Sequence, residues 1–355
     1  MDAPMHPLID GFRRTAQAEL DPPFWEYVSR GCGYGVSVGA AESSWASYRL
    51  LPRALRDVSR IDTRLGLFGD FATPVGVAPT AFHRLAHDEG EVATAAGAAR
   101  AGSPFVLSSR STTRIEHVAA AAAGPWWFQV YVTLDHAVTE AMVRRAVASG
   151  ATALALTVDT PYVGHRNIPG SGRPMDLSDD LALVNMAEYL TAAQRDDPWA
   201  FIDQDPSIGL DTIGWLRQIS GLPVIVKGVL RPDDARAFVD AGAAAVWVSS
   251  HGGRQLDRAI SPAHALPGIV AAVGGSVPVV VDGGVRTGFD VLTALGLGAS
   301  AVFVGRPAVW ALAADGAGGV EALLAELTEE LRHVMGLAGV VDLADLRSAG
   351  LVDGG

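Results

Sequence analysis

A single cysteine, Cys32, occurs in 355 residues. That scarcity excludes an intramolecular disulfide and a thiolate metal cluster, and it points to a reducing, cytoplasmic setting. Positive charge is also scarce: 27 Lys and Arg stand against 39 Asp and Glu, a net charge of −12 with no basic run. Neither nucleic acid nor an anionic membrane is therefore expected as a partner. The amino-terminal text MDAPMHPLIDGFRR lacks the layout of a signal peptide, and no uninterrupted apolar stretch long enough to span a bilayer is expected. There is no Walker loop, no GxGxxG after a first strand, and no pattern that calls for a metal.

What is present is apolar and periodic. Hydrophobic residues make up 49% and charged residues 19%, the balance of a folded globular chain. From about Thr73 short apolar runs alternate with amphipathic stretches. Strands are expected at 74–78, 104–108, 126–131, 153–159, 223–227, 244–249, 278–282 and 301–305. Helices are expected at 90–101, 137–149, 232–241, 263–273 and 289–297, with helix the simpler reading of the alanines at 119–123. Four of these helices run into a small residue and glycine before the next strand, as at Ala101-Gly102 and Ala241-Gly242. Eight such units are the count of a (β/α)8 barrel, with a doubly wound open sheet as the alternative. The expected layout is a single domain over 1–355: a mainly helical segment at 1–70, the barrel at 71–312 and a helical segment at 313–355, including a closing helix at 321–335. The aspartate-rich connection at 160–209 is long enough to cover the active face of a barrel.

The text SSHGGRQLD at 249–257 follows the apolar run AAAVWV, placing His251 and Arg254 at the carboxyl end of a strand. Imidazole takes a proton near neutral pH, guanidinium clamps a carboxylate or phosphate, and the intervening glycines allow a sharp turn. The plainer alternative is a loop histidine beside a surface arginine. Other strand ends are polar as well: Pro79, Thr80 and Ala81; Ser108 and Ser109; Gln129 and Tyr131; Thr157 and Asp159; Lys227; Asp282, Gly283 and Gly284; Gly305 and Arg306. The last two loops, VDGGVRTG and VGRP, supply glycine N–H groups with Arg286 and Arg306, a phosphate site by the usual placement in this fold, or else simple turns. Lys227 either reaches water or faces a negative centre.

Taken together, SSHGGRQLD, VDGGVRTGFDVLTALGLGASAVFVGRP, LTVDTP and APTA resemble the FMN-dependent 2-hydroxy-acid oxidase and dehydrogenase family over about 24–339. The family includes glycolate, lactate and mandelate oxidases and flavocytochrome b2. The resemblance implies FMN as cofactor and oxidation of a 2-hydroxy acid to a 2-oxo acid. It implies His251 as base, Asp159 as its carboxylate partner, Arg254 and Arg166 with Tyr27 as the carboxylate clamp, and Tyr131 at the substrate oxygens. FMN would rest on Pro79, Thr80 and Ala81, with Ser108, Gln129 and Thr157 at the ring edge. Lys227 would stand near the flavin pyrimidine, Ser249 near the ribityl chain, and Asp282, Gly284, Arg286, Gly305 and Arg306 around ribityl and phosphate. Ala81 and the absence of a basic apolar membrane segment favour an oxidase that passes electrons to O2 and makes hydrogen peroxide. A soluble homotetramer is expected. Another electron acceptor, or a tailoring oxidase or isomerase acting on a larger intermediate, is the alternative.

The departures concern the substrate pocket. Ser250 stands where the family usually reads asparagine, His165 where an arginine often precedes Arg166, and Arg110 where an aromatic residue is common. Arg110 and His83 either recognise a second polar or anionic group on the substrate or point to solvent.

Overall fold

The computed structural model describes residues 5–165 and 177–353. Eight parallel strands form the centre: β1 (Val75–Val77), β2 (Val106–Ser108), β3 (Trp127–Val130), β4 (Ala153–Thr157), β5 (Val224–Val229), β6 (Ala245–Val248), β7 (Val279–Asp282) and β8 (Ala301–Val304). Each pairs with its neighbour in chain order, and β8 returns to β1 through Val302 and Val75. A bridge between Val77 and Phe105 closes the ring. This is the (β/α)8 barrel expected from the alternating pattern, not an open doubly wound sheet. Runs such as VVVD and AVFV are buried throughout because helices cover their outer faces and side chains fill the interior.

That interior is packed with aromatic side chains. Trp127, Trp247 and Phe303 meet inside the ring, with centroid distances of 4.3 Å for Trp247–Phe303 and 5.4 Å for Trp127–Phe303. A small hairpin, Leu65–Gly66 with Asp70–Phe71, brings Phe68 and Phe71 edge-on against Trp127 at the start of β3. The end of the barrel where strands begin is thus plugged, leaving the carboxyl ends to form the one polar mouth.

The flanking segments differ from expectation in detail. Residues 5–45 are helical, with helices Pro7–Glu19, Pro22–Ser29 and Val36–Trp45, but the chain from 46 to 70 wraps the barrel without a helix. Helix Ile115–Ala122 contains most of the alanines read as helical, and helix Asp211–Ser220 fills a unit left unassigned by sequence. The segment Arg306–Ala338 is helical on both sides of a break at Asp315 and Gly316, and the part after the break contains the expected closing helix. By length and composition alone 306–338 would suit a membrane span, but the helix is broken at Asp315 and Gly316 and its apolar run is interrupted by charged residues. Its apolar face, including Leu323, Leu327 and Leu331, is buried within the fold.

Candidate active site

The turn after β6 is built for His251. Its backbone lies at φ +54°, an uncommon conformation for a residue with a side chain, held by its N–H donating to Ser249 Oγ at 3.0 Å. Gly252 and Gly253 follow with φ of +64° and +72°. A Cβ on Gly253 would stand 2.9 Å from the Val38 nitrogen, so the loop can lie this close to the amino-terminal helices only with glycine there. The imidazole Nδ1 stands 3.0 Å from Asp159 Oδ1, and Nε2 is 3.3 Å from the Tyr131 hydroxyl. Asp159 fits beside β5 because that strand bulges at Gly228, where a Cβ would come within 2.6 Å of Asp159 Cβ. Burial opposes charge on Asp159, but His251 and Lys227 outweigh it and hold the carboxyl below its ordinary range. An ionised Asp159 accepts the Nδ1 proton, which leaves Nε2 of the neutral ring as the proton acceptor. Tyr131 is held neutral, its hydroxyl pushed well up by burial and by Asp159.

Lys227, the only lysine in the chain, ends its side chain 2.9 Å from Ser249 Oγ and 3.1 Å from Asp282 Oδ2. Ser249 in turn donates to Asp282 Oδ1 at 2.6 Å. Three successive strands therefore supply one buried polar cluster at the mouth. Beside it Gly283, Gly284, Arg286, Gly305 and Arg306 line the same cavity. Arg286 is buried and pairs with Glu42 at 2.5 Å, and its Nε has no hydrogen-bond partner among the described residues. Glu42 has no sequence signal as part of this site; it arrives on helix Val36–Trp45, whose Trp45 also donates to the Gly283 carbonyl at 2.9 Å. Arg306 donates to the Val28 carbonyl at 2.9 Å.

Across the mouth, Ala78, Pro79, Thr80 and Ala81 line the cavity together with Ser108. Gln129 and Thr157 are buried behind that wall instead of lining it: Gln129 accepts from Ser108 Oγ at 3.2 Å and donates to Thr157 Oγ1 at 3.0 Å. Ser249 is likewise buried and outside the lining. His83 neither reaches solvent nor lines the cavity, which corrects both expectations for it. It is buried, with Nε2 on Thr80 Oγ1 and Nδ1 2.9 Å from Thr94 Oγ1, and desolvation disfavours its charged form. Glu91, also missed by sequence, ties this region together. Its buried carboxylate accepts from the backbone N–H groups of His83 and Thr112 and from the hydroxyls of Thr112 and Thr113.

The substrate side of the cavity carries Tyr27, Arg110, Tyr131, His251 and Arg254. The Arg254 guanidinium lies 4.4 Å from the Tyr27 ring centre and donates to the Tyr27 carbonyl. Tyr27 itself is braced by Phe24 and Phe82. Arg110 is buried against Trp199, not directed to solvent. Trp199, Asp203 and Gln204 belong to the long connection after β4, which does cover the mouth. Arg166 lies outside the described residues. His165 is exposed and contributes a carbonyl to Gly33 N, while the Ser250 hydroxyl is buried without a partner among the described residues.

A closed barrel whose mouth gathers a base, a guanidinium clamp, a buried ammonium and a glycine-arginine cradle around about 480 Å³ defines an enzyme of cofactor chemistry. Comparison with known proteins gives the family. A model described as FMN-dependent dehydrogenase matches residues 16–353. The chain is 39% identical over 353 residues to an L-lactate oxidase of Nostoc sp., covering 94% of this chain and 95% of that protein. It is 40% identical over 341 residues to a 4-hydroxymandelate oxidase of Amycolatopsis orientalis, covering 92% of each. A crystal structure of mandelate oxidase superimposes with a TM-score of 0.87 at 38% identity, covering 97% of this chain and 98% of that one. The chain belongs to the FMN-dependent dehydrogenase family. The donor set fits FMN: the unpartnered Nε of Arg286 and the uncapped amino end of helix Arg306–Ala338 suit a phosphate, and Lys227 suits an electron-rich ring.

Proposed function

We propose that this protein oxidises a 2-hydroxy acid to the 2-oxo acid and passes the electron pair to dioxygen, releasing hydrogen peroxide. The observation that carries the reading is the Asp159–His251 pair, whose Nε2 stands beside the Tyr131 hydroxyl in the cavity that also holds Arg254. Bound FMN would accept the two electrons leaving the substrate carbon and return them to dioxygen. The chain's residues do the rest. Arg254 holds the carboxylate and fixes the approach of the hydroxyl-bearing carbon. Nε2 takes the hydroxyl proton, and ionised Asp159 steadies the imidazolium that results. Tyr131, kept neutral, donates a hydrogen bond to the substrate oxygen as the carbonyl forms. Lys227, buried at the cavity wall, would present its charge to the ring of bound FMN. The substrate loses one carbon-bound hydrogen and one hydroxyl proton, and both end in the peroxide.

The purified protein is expected to be yellow. Anaerobic addition of a panel of 2-hydroxy acids (glycolate, lactate, mandelate and a dicarboxylic analogue) should bleach the flavin with at least one member. Admitting oxygen should restore the colour and release peroxide. A chain that cannot be loaded with FMN, or a flavin that no 2-hydroxy acid bleaches, would refute the reading; bleaching without peroxide would point to another acceptor. We further infer a cytoplasmic homotetramer, a reading supported by the single buried cysteine and by apolar side chains left exposed beside the mouth, Tyr34 and Leu256 among them. Light scattering that gives the monomer mass would overturn the assembly.

A further inference from the structure

We propose that Arg110 is a specificity residue that binds a second carboxylate, so that the substrate is a 2-hydroxy dicarboxylic acid; this rests on the 2-hydroxy-acid reading above. Arg110 follows β2 and is buried, with 7% of its surface exposed, in the wall of the substrate cavity. Its neighbours are neutral. One nitrogen donates to the Ile202 carbonyl at 2.6 Å, another points at the Met186 sulfur at 3.7 Å, and the guanidinium lies 5.5 Å from the Trp199 ring centre. Among the described residues no carboxylate comes within 4.0 Å of it. The acidic group acting on it from farther away is Asp203, which is exposed at the rim, where water screens its charge.

A guanidinium out of water needs an anion, because a carbonyl and an aromatic face return only part of its lost hydration. Purely structural arginines in this chain are matched differently. Arg145, for example, pairs with both Glu116 and Glu188 at 2.7 Å. Among the described residues Arg110 has no such match, yet it lines the cavity that carries His251 and Arg254. The same cavity carries Arg254 at the reacting end, and Tyr131 lines it together with both guanidinium groups. A short molecule with a carboxylate at each end would satisfy both cations at once. A neutral or aromatic side chain would leave Arg110 buried without its counter-ion.

The test uses the FMN-loaded protein and 2-hydroxy dicarboxylic acids of four to six carbons, each paired with its distal monoamide. Anaerobic bleaching gives the apparent second-order rate constant for each. Calorimetry with the matching 2-oxo diacids and 2-oxo monoamides gives affinity without turnover. At one chain length the wild type should prefer diacid over amide by about 30-fold or more, the scale of a charge-assisted contact in a buried site. Arg110→Met should cut that ratio below about threefold, and Arg110→Lys should keep part of it. A wild type that treats diacid and amide alike at every length would overturn the proposal. So would an Arg110→Met protein with the ratio intact, since the residue would then only brace the Ile202 segment. Should no 2-hydroxy acid bleach the flavin, the oxidation reading fails by itself, and the calorimetric ratio still decides Arg110.

Discussion

The two halves of the barrel mouth are built in different ways. On the side of β5 to β8, polar groups find partners on the next strand or the one beyond: Lys227 of β5 meets Ser249 after β6 and Asp282 of β7. On the side of β1 to β4 partners also come from helices and loops outside the sheet. Arg110 reaches Ile202, and Glu91, in the first turn of helix Gly90–Arg100, holds Thr112 and Thr113. The first half carries His251 and Lys227, with Asp159 and Tyr131 reaching His251 from the ends of β4 and β3, and strand ends bring these groups together. The second half shapes the substrate space, and its geometry depends on loops and on the long connection after β4. A fold can thus keep one half for a reaction while the other varies with substrate.

The largest effect should come from the chemical half. His251→Ala is expected to lower the rate of anaerobic flavin bleaching about 10³-fold, the usual range for a general base. FMN absorbance should remain, and calorimetry should still detect a 2-oxo acid. A variant that bleaches as fast as the wild type would remove His251 from its role and dissolve the distinction between the halves.

A smaller effect concerns how that half is held. Asp290 completes a capping box with Thr287 and accepts the Arg286 N–H at 2.8 Å. Burial pushes its carboxyl up to about 6, despite those hydrogen bonds and the Arg286 charge. The folded state therefore favours the neutral form. Its contribution is greatest below the ordinary value of 3.8 and is lost as pH rises through about 6. The loss amounts to about 3 kcal/mol at most. Asp290→Asn should flatten this loss, so the stability gap between variant and wild type should widen from pH 4 to pH 8 in urea denaturation. A gap independent of pH would contradict the burial argument.

The smallest expected effect tests the other half. Glu91→Gln keeps the shape but removes the charge that four donors share. It should cost about 1.5–3 kcal/mol of stability while shifting substrate preference more than FMN affinity. Equal damage to flavin retention and preference would mean that the loops after β1 and β2 serve the cofactor as much as the substrate.

Much of the chemical half was legible beforehand, because local rules govern it. Apolar runs locate strands, glycine pairs locate turns, and a barrel sends every strand end to one face. His251, Asp159, Lys227 and the two glycine-arginine loops could therefore be brought together from text alone. One clue in plain sight is that Lys227 is the only lysine in a chain rich in arginine. Glu42, Glu91, Trp199 and Asp203 carried no such sign, since an acidic or aromatic residue on a helix or loop reads as ordinary surface or core.

The sequence by itself determined the order of strands and helices and the identity of the groups at each strand end, because hydrophobic periodicity and turn chemistry act over a few residues. The tertiary structure alone decided the surroundings of those groups. It buried His83 and Arg110, and it matched Arg286 with Glu42. Burial and charge pairing depend on what the chain brings near from far away, and that is set by packing, not by neighbours in sequence.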